Sequence, residues 1–169
     1  SSFTYTHTAS LAESGNYYRC KVWNNCNTAV SGENTGRLTV NVPPVINSIS
    51  GDISVCENIA FPPGIQIGFS TNVKQIIIEK SENQGTSWLL VTSSDLSGQS
   101  LYNYTLPSTA YSMNGILFRA KATGECPPEA VSAPVKITIK KSPVITVHPQ
   151  NSNVCEGSEL ILSCTAEGD

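Results

Sequence analysis

A chain of 169 residues with net charge −3 and only 14% charged side chains has room for one large domain, or for nearly two of about 100 residues each. Its ten Lys and Arg are scattered, with Lys140-Lys141 the one adjacent pair, which excludes the basic stripe that a nucleic-acid partner needs. No run approaches the roughly 18 to 20 apolar residues that cross a bilayer, and no leader opens the chain. The segment is therefore expected not to span a membrane, and to be either mature at its start or cut from something longer.

In chain order, the first informative stretch is GNYYRCKVWNNC (15–26), where Tyr18 stands two residues before Cys20 and Cys26 follows six later. Side chains on a strand alternate faces, so a pair this close does not bridge itself, and each cysteine needs a distant partner. Further on, Ile65, Ile67 and Phe69 alternate with Gln66 and Gly68, the period of a half-buried strand. VKQIIIEKS (73–81), with Ile76 and Ile78 inward, and SWLLV (87–91) flank ENQGT, whose Gly85 marks a hairpin turn. GILFRAKAT (115–123) and PVKITIK (134–140) supply two more strands, and no segment holds a sustained helical period with caps. Strands at such short spacing predict an all-β fold, a two-sheet antiparallel sandwich.

The chain also repeats itself. SSFTYTHTASLAESGNYYRCKVWNNC (1–26) lies without a gap over LYNYTLPSTAYSMNGILFRAKATGEC (101–126), and RLTVNVPPVI (37–46) lies over KITIKKSPVI (136–145). VCEN (55–58) then falls on VCEG (154–157), and IQIGF (65–69) on LILSC (160–164), a period of about 100 residues. The proline joints divide the chain into the C-terminal part of one repeat (1–42), a complete repeat (43–142) and the N-terminal part of the next (143–169). Neither outer piece can complete a sandwich by itself.

Tyr18-Arg19-Cys20 resembles the Tyr-x-Cys of an immunoglobulin-type F strand, and LILSC resembles the matching B strand. The resemblance implies a tyrosine corner at Tyr18 and core-facing cysteines at Cys20 and Cys164. Cys26 and Cys126 then lie just beyond strand F, and Cys56 and Cys155 just before strand B. On this basis Cys20, Cys26, Cys155 and Cys164 are expected to pair outside the 169 residues, while the middle repeat is expected to hold a Cys56–Cys126 disulfide. Closing about 70 residues in that way is worth ~4 kcal/mol in the chain-entropy model. At the core cystine positions this repeat carries Phe69 and Ala120 instead. A ring over a methyl fills about the volume of a cystine, whereas two small residues would leave a cavity costing ~2 to 5 kcal/mol.

Gly-x-x-Tyr-x-Cys at 15–20 with Cys26 beyond it, a proline joint, Val-Cys-Glu-Gly, and the hairpin SENQGTSW (81–88) together are similar to the immunoglobulin-like repeats of very large surface proteins secreted by Bacteroidetes-type bacteria. There the hairpin reads Ser-x-Asp-x-Gly-x-x-Trp, and Asn83 stands here for the Asp. The similarity covers essentially the whole chain. It implies export by the type IX secretion route, a place at the bacterial cell surface, and a role as adhesin, gliding-motility adhesin or stalk.

Six cysteines without a C-x-x-C pattern point to an oxidising, extracytoplasmic compartment rather than to zinc. His7 and His148 sit near no acidic or cysteine cluster in the sequence, and Asp52, Asp95 and Asp169 are too scattered to cage calcium, so no metal or cofactor is expected. No G-x-S-x-G elbow occurs, and Glu79 and Glu82, at a solvent-facing hairpin, form no convincing catalytic pair, so no residue is assigned to catalysis and no enzyme is expected. Trp88 is read as part of a structural turn. Trp23, Tyr102, Tyr104 and Tyr111 are read as packing residues, with stacking on sugar rings as their alternative. The functional expectation is a non-enzymatic extracellular stalk or adhesive array, whose partners are its own neighbouring immunoglobulin-like repeats and an extracellular glycan or surface protein. Two alternatives stand beside it: a glycan- or protein-binding module gripping through loops 92–100 or 124–129, and an accessory domain of a secreted hydrolase.

Overall fold

The computed structural model describes residues 2–32, 36–60 and 62–168. In the central part of the chain, strands form where apolar side chains recur at every second position. They are β5 (Ile46–Ile49), β6 (Ile53–Cys56), β7 (Gly64–Phe69), β8 (Val73–Ser81), β9 (Leu89–Asp95), β10 (Leu101–Thr105), β11 (Leu117–Gly124), β12 (Ala130–Val131) and β13 (Val135–Lys140). Four short strands precede them, β1 (Tyr17–Tyr18), β2 (Lys21–Trp23), β3 (Thr28–Val30) and β4 (Gly36–Arg37), and two follow, β14 (Val144–Val147) and β15 (Thr165–Glu167). The only helical turns among the described residues are two 3-10 turns, Leu11–Glu13 and Tyr111–Met113.

Two sheets face each other. One has the order β10-β7-β5, and the other β6-β13-β11-β8-β9 with β12 added to β11. Among the described residues every pairing is antiparallel except that of β6 with β13, so the first strand region starts on the small sheet as β5 and crosses to the edge of the large one as β6. This is an immunoglobulin-like antiparallel β-sandwich. Ile65, Ile67 and Phe69 of β7, Val73, Ile76 and Ile78 of β8, Phe118, Ala120 and Ala122 of β11, and Val135, Ile137 and Ile139 of β13 fill the space between the sheets. Each of these side chains is at most 2% exposed, and burying a branched aliphatic of this kind contributes about 1.5 to 3 kcal/mol. Residues 92–95, read from the sequence as loop, instead extend β9, because Ile76, Ile77 and Ile78 of β8 supply a partner ladder for them.

The outer segments form short ladders: β1 with β4, β2 with β3, and β14 with β15. None of the described residues in 2–43 or 143–168 is buried. Even so, residues 10–31 and 36–38 reproduce much of the backbone bonding of their counterparts between 110 and 137. Glu13 N donates to Ser10 O as Met113 N does to Ala110 O, and Gly15 N donates to Leu38 O as Gly115 N does to Ile137 O. Cys20 N donates to Ser31 Oγ and Ala120 N to Ser132 Oγ, both at 2.9 Å. Lys21 faces Val30 as Lys121 faces Val131.

Candidate functional site

The β8–β9 hairpin carries a network of side-chain hydrogen bonds. Ser81 ends β8 with its side chain 1% exposed, and its Oγ accepts from Gly85 N at 2.8 Å while donating to Asn83 Oδ1 at 2.9 Å. Asn83 Oδ1 also accepts from Ser87 N, and Asn83 Nδ2 donates to Ser87 Oγ at 2.8 Å. Gln84 and Gly85 both take positive φ, 59° and 86°, the left-handed region in which glycine is unstrained. The Ser81, Asn83 and Ser87 side chains thus find their partners within the turn. Beside it, Arg119 of β11 lies 4.1 Å over the Trp88 ring and donates through Nε to Glu79 Oε2 at 2.7 Å. Glu82 pairs separately with Lys80, so the two glutamates are each matched to a cation rather than to each other. The Glu79–Arg119–Trp88 cluster escaped the sequence reading. Arg19 and Arg119 recur in the repeat, and that recurrence was the available signal.

The two ends of the sandwich are the second candidate region. At the end where the chain enters, Asn72 Nδ2 donates to Val42 O at 2.7 Å and to Pro43 O at 3.0 Å, and Val45 N donates to Ser70 Oγ. Gly124 closes this end: a Cβ there would lie 3.4 Å from Pro44 Cδ and 3.0 Å from Asn72 O. Cys126 follows two residues later, in the turn between β11 and β12. At the end where the chain leaves, Glu57 N donates to Lys140 O and Ser142 N donates to Glu57 Oε1 at 2.9 Å. Lys141 Nζ sits 4.5 Å over the Tyr111 ring. Cys56 lies here, opposite Lys140 in the parallel ladder.

The Cys56–Cys126 bridge expected from the sequence is therefore not formed. Both residues are free thiols, Cys56 exposed and Cys126 half-buried. The ladder from β6 through β13 sets Cys56 level with the start of β11, beyond Asn114, whose side chain accepts from Ile139 N, whereas Cys126 lies past the far end of β11. At about 3.3 Å per residue the two are some 35 Å apart, against the ~7 Å limit between bridged Cα atoms. Cys20, Cys26, Cys155 and Cys164 are likewise unpaired and exposed.

Phe69 (1% exposed) and Ala120 (0%) sit on opposite sheets within one core cluster. The Tyr18 hydroxyl donates to Glu13 Oε1, five residues upstream, at 3.3 Å. Glu13 Oε1 also meets His7 Nε2 at 3.0 Å, and Ser10 N and Ser10 Oγ both donate to Glu13 Oε2. The Ser10 backbone bond, above all, holds the Glu13 carboxyl below its ordinary pKa. Tyr102 and Tyr104 are half-buried against the core, with Tyr104 tilted 5.7 Å from the Phe118 ring, while Trp23 stays 73% exposed. Burial, and then the charge of Tyr102, raises the Tyr104 hydroxyl above its ordinary pKa. Among the described residues no three metal-ligating side chains gather, and no helix is long and apolar enough to cross a membrane.

No family model and no curated protein matches the chain. Among solved structures, extracellular domains 3–5 of Drosophila OTK superpose with a TM-score of 0.42 at 14% identity, over 74% of this chain and 44% of that one. The chain thus spans less than half the length of that neighbour.

Proposed function

We propose that this chain is a section of a non-enzymatic, extracellular array of immunoglobulin-like sandwiches, serving as a stalk or adhesive surface in a large secreted protein of the Bacteroidetes type. In this reading residues 1–42, 43–142 and 143–169 belong to three successive repeats. The observation that carries it is the polarity of the central sandwich: the chain enters beside Asn72 and Gly124 at one pole and leaves beside Glu57 and Lys140 at the other. Units joined pole to pole through short proline joints project outward instead of folding back, because proline fixes φ and removes a donor. The hydrogen-bond pattern that residues 10–31 and 36–38 share with their counterparts between 110 and 137 supports one module copied along the chain.

The same reading assigns Cys20 and Cys164 to core cystines of their own repeats, sets Phe69 over Ala120 in place of one, and makes Tyr18 a corner closed onto Glu13. Small-angle scattering of the native multi-repeat protein tests it. A rod is expected whose maximum dimension grows in proportion to the number of repeats, and a globular envelope would refute it. A glycan array probed with the same protein separates stalk from adhesin: binding to a defined sugar assigns the adhesive role, and silence across the array the stalk.

A further inference from the structure

We propose that the cysteines at the two poles are links of a disulfide ladder between repeats: Cys56 bonds the F–G-turn cysteine of the following repeat, and Cys126 bonds the Val-Cys-Glu cysteine of the preceding one. The inference rests on the array reading above and deepens it. The central unit contains two cysteines, and its own register holds them about 35 Å apart. Neither can satisfy the other, so in an oxidising compartment both partners must come from outside the unit.

Each cysteine lies beside the joint that leads to a neighbour. Cys56 is level with Lys140, two residues before Ser142, whose N–H is held by Glu57. Cys126 is two residues past Gly124, which abuts Pro44. Pro143 corresponds to Pro44 in the repeat, so only three residues, at most ~10 Å of chain, separate the level of Cys56 from the pole of the next unit that carries its F–G turn. That span is compatible with the ~5.5 Å that bridged Cα atoms require. The outer segments supply the same two classes, Cys26 as an F–G cysteine and Cys155 within Val-Cys-Glu, so every joint would receive one thiol from each side.

In each link two thiols lose two protons and two electrons to an oxidised dithiol donor, which departs as its dithiol; the new S–S bond forms by exchange through a mixed disulfide. The result is a covalent clamp across each proline joint, parallel to the main chain, that removes its bending freedom.

Non-reducing peptide mapping of the native protein tests the ladder. The Cys56 peptide is expected joined to a peptide whose cysteine follows a Gly-x-x-aromatic-Arg stretch of the next repeat, and the Cys126 peptide joined to a Val-Cys-Glu peptide. Free thiols at either position, or a Cys56–Cys126 link, would overturn it. Two copies of residues 43–142 in tandem, a unit that contains every buried hydrophobic side chain of the described residues, provide a second measurement. Oxidation by a glutathione disulfide buffer is expected to leave two free thiols of four, and Cys56→Ser in the first copy to leave all of its remaining thiols free; four free thiols in the parent tandem would sink the ladder. Scattering of the unreduced native protein keeps the two readings apart: a rod whose peptide map shows no such bridges refutes only the ladder, and a compact particle refutes the array.

Discussion

Ser81 is a small residue asked to hold a whole turn. Its buried hydroxyl is the acceptor for Gly85 N, so Ser81→Ala leaves that donor without its partner, and a loss of about 1 to 3 kcal/mol is expected in urea unfolding. Tyr104 gives the molecule an alkaline limit. Its raised pKa means that the folded state keeps the phenol proton longer than the unfolded chain does, so the associated stability is present in full below the ordinary value of 10.0 and is lost as pH climbs through the higher folded value. Tyr104→Phe should flatten that alkaline limb in thermal melts above pH 10. Phe69 and Ala120 allow a direct check on the volume argument. Phe69→Ala is expected to cost about 3 to 5 kcal/mol through the cavity it opens. The double change Phe69→Cys with Ala120→Cys should restore a core cystine in oxidised protein, and two persistent free thiols would show that the two positions do not face each other.

At the scale of the element, β9 is the exposed edge of the six-stranded sheet and follows Trp88 directly with Leu89 and Leu90, 56% and 67% exposed. An edge strand with apolar side chains offers its unpaired backbone to other chains. Leu90→Lys should raise the concentration at which the protein stays monomeric in sedimentation, with little change in the unfolding midpoint, because the side chain it replaces packs against nothing in the core. The opposite edge is managed differently: β6 lies along β13 in parallel, and Asp52 Oδ1 accepts from Lys136 N at its start.

Over the whole molecule, stability is concentrated in the middle. Every buried hydrophobic side chain of the described residues falls between Ile65 and Ile139, and the outer segments contribute exposed two-stranded ladders. Removing residues 1–42 and 143–169 should therefore shift the denaturation midpoint only slightly, whereas a large fall would show that the outer ladders brace the sandwich.

Local pattern was enough to read the strands. Alternation in IQIGF and the turn at ENQGT are properties of neighbouring residues, and burial against a second sheet follows from them with little freedom left over. The sequence alone thereby determined a β-sandwich module and placed its core at Ile76, Ile78, Phe69 and Ala120. Which pole each cysteine occupies was not legible. Seventy residues of separation along the chain leave open whether two thiols meet, and only the parallel docking of β6 on β13, set against the antiparallel run of β11, put Cys56 and Cys126 at opposite ends. The grip of Asn72 on the Val42 and Pro43 carbonyls was hidden for the same reason: strand identity is decided by local alternation, whereas the direction in which a strand is laid into its sheet depends on partners far away in sequence.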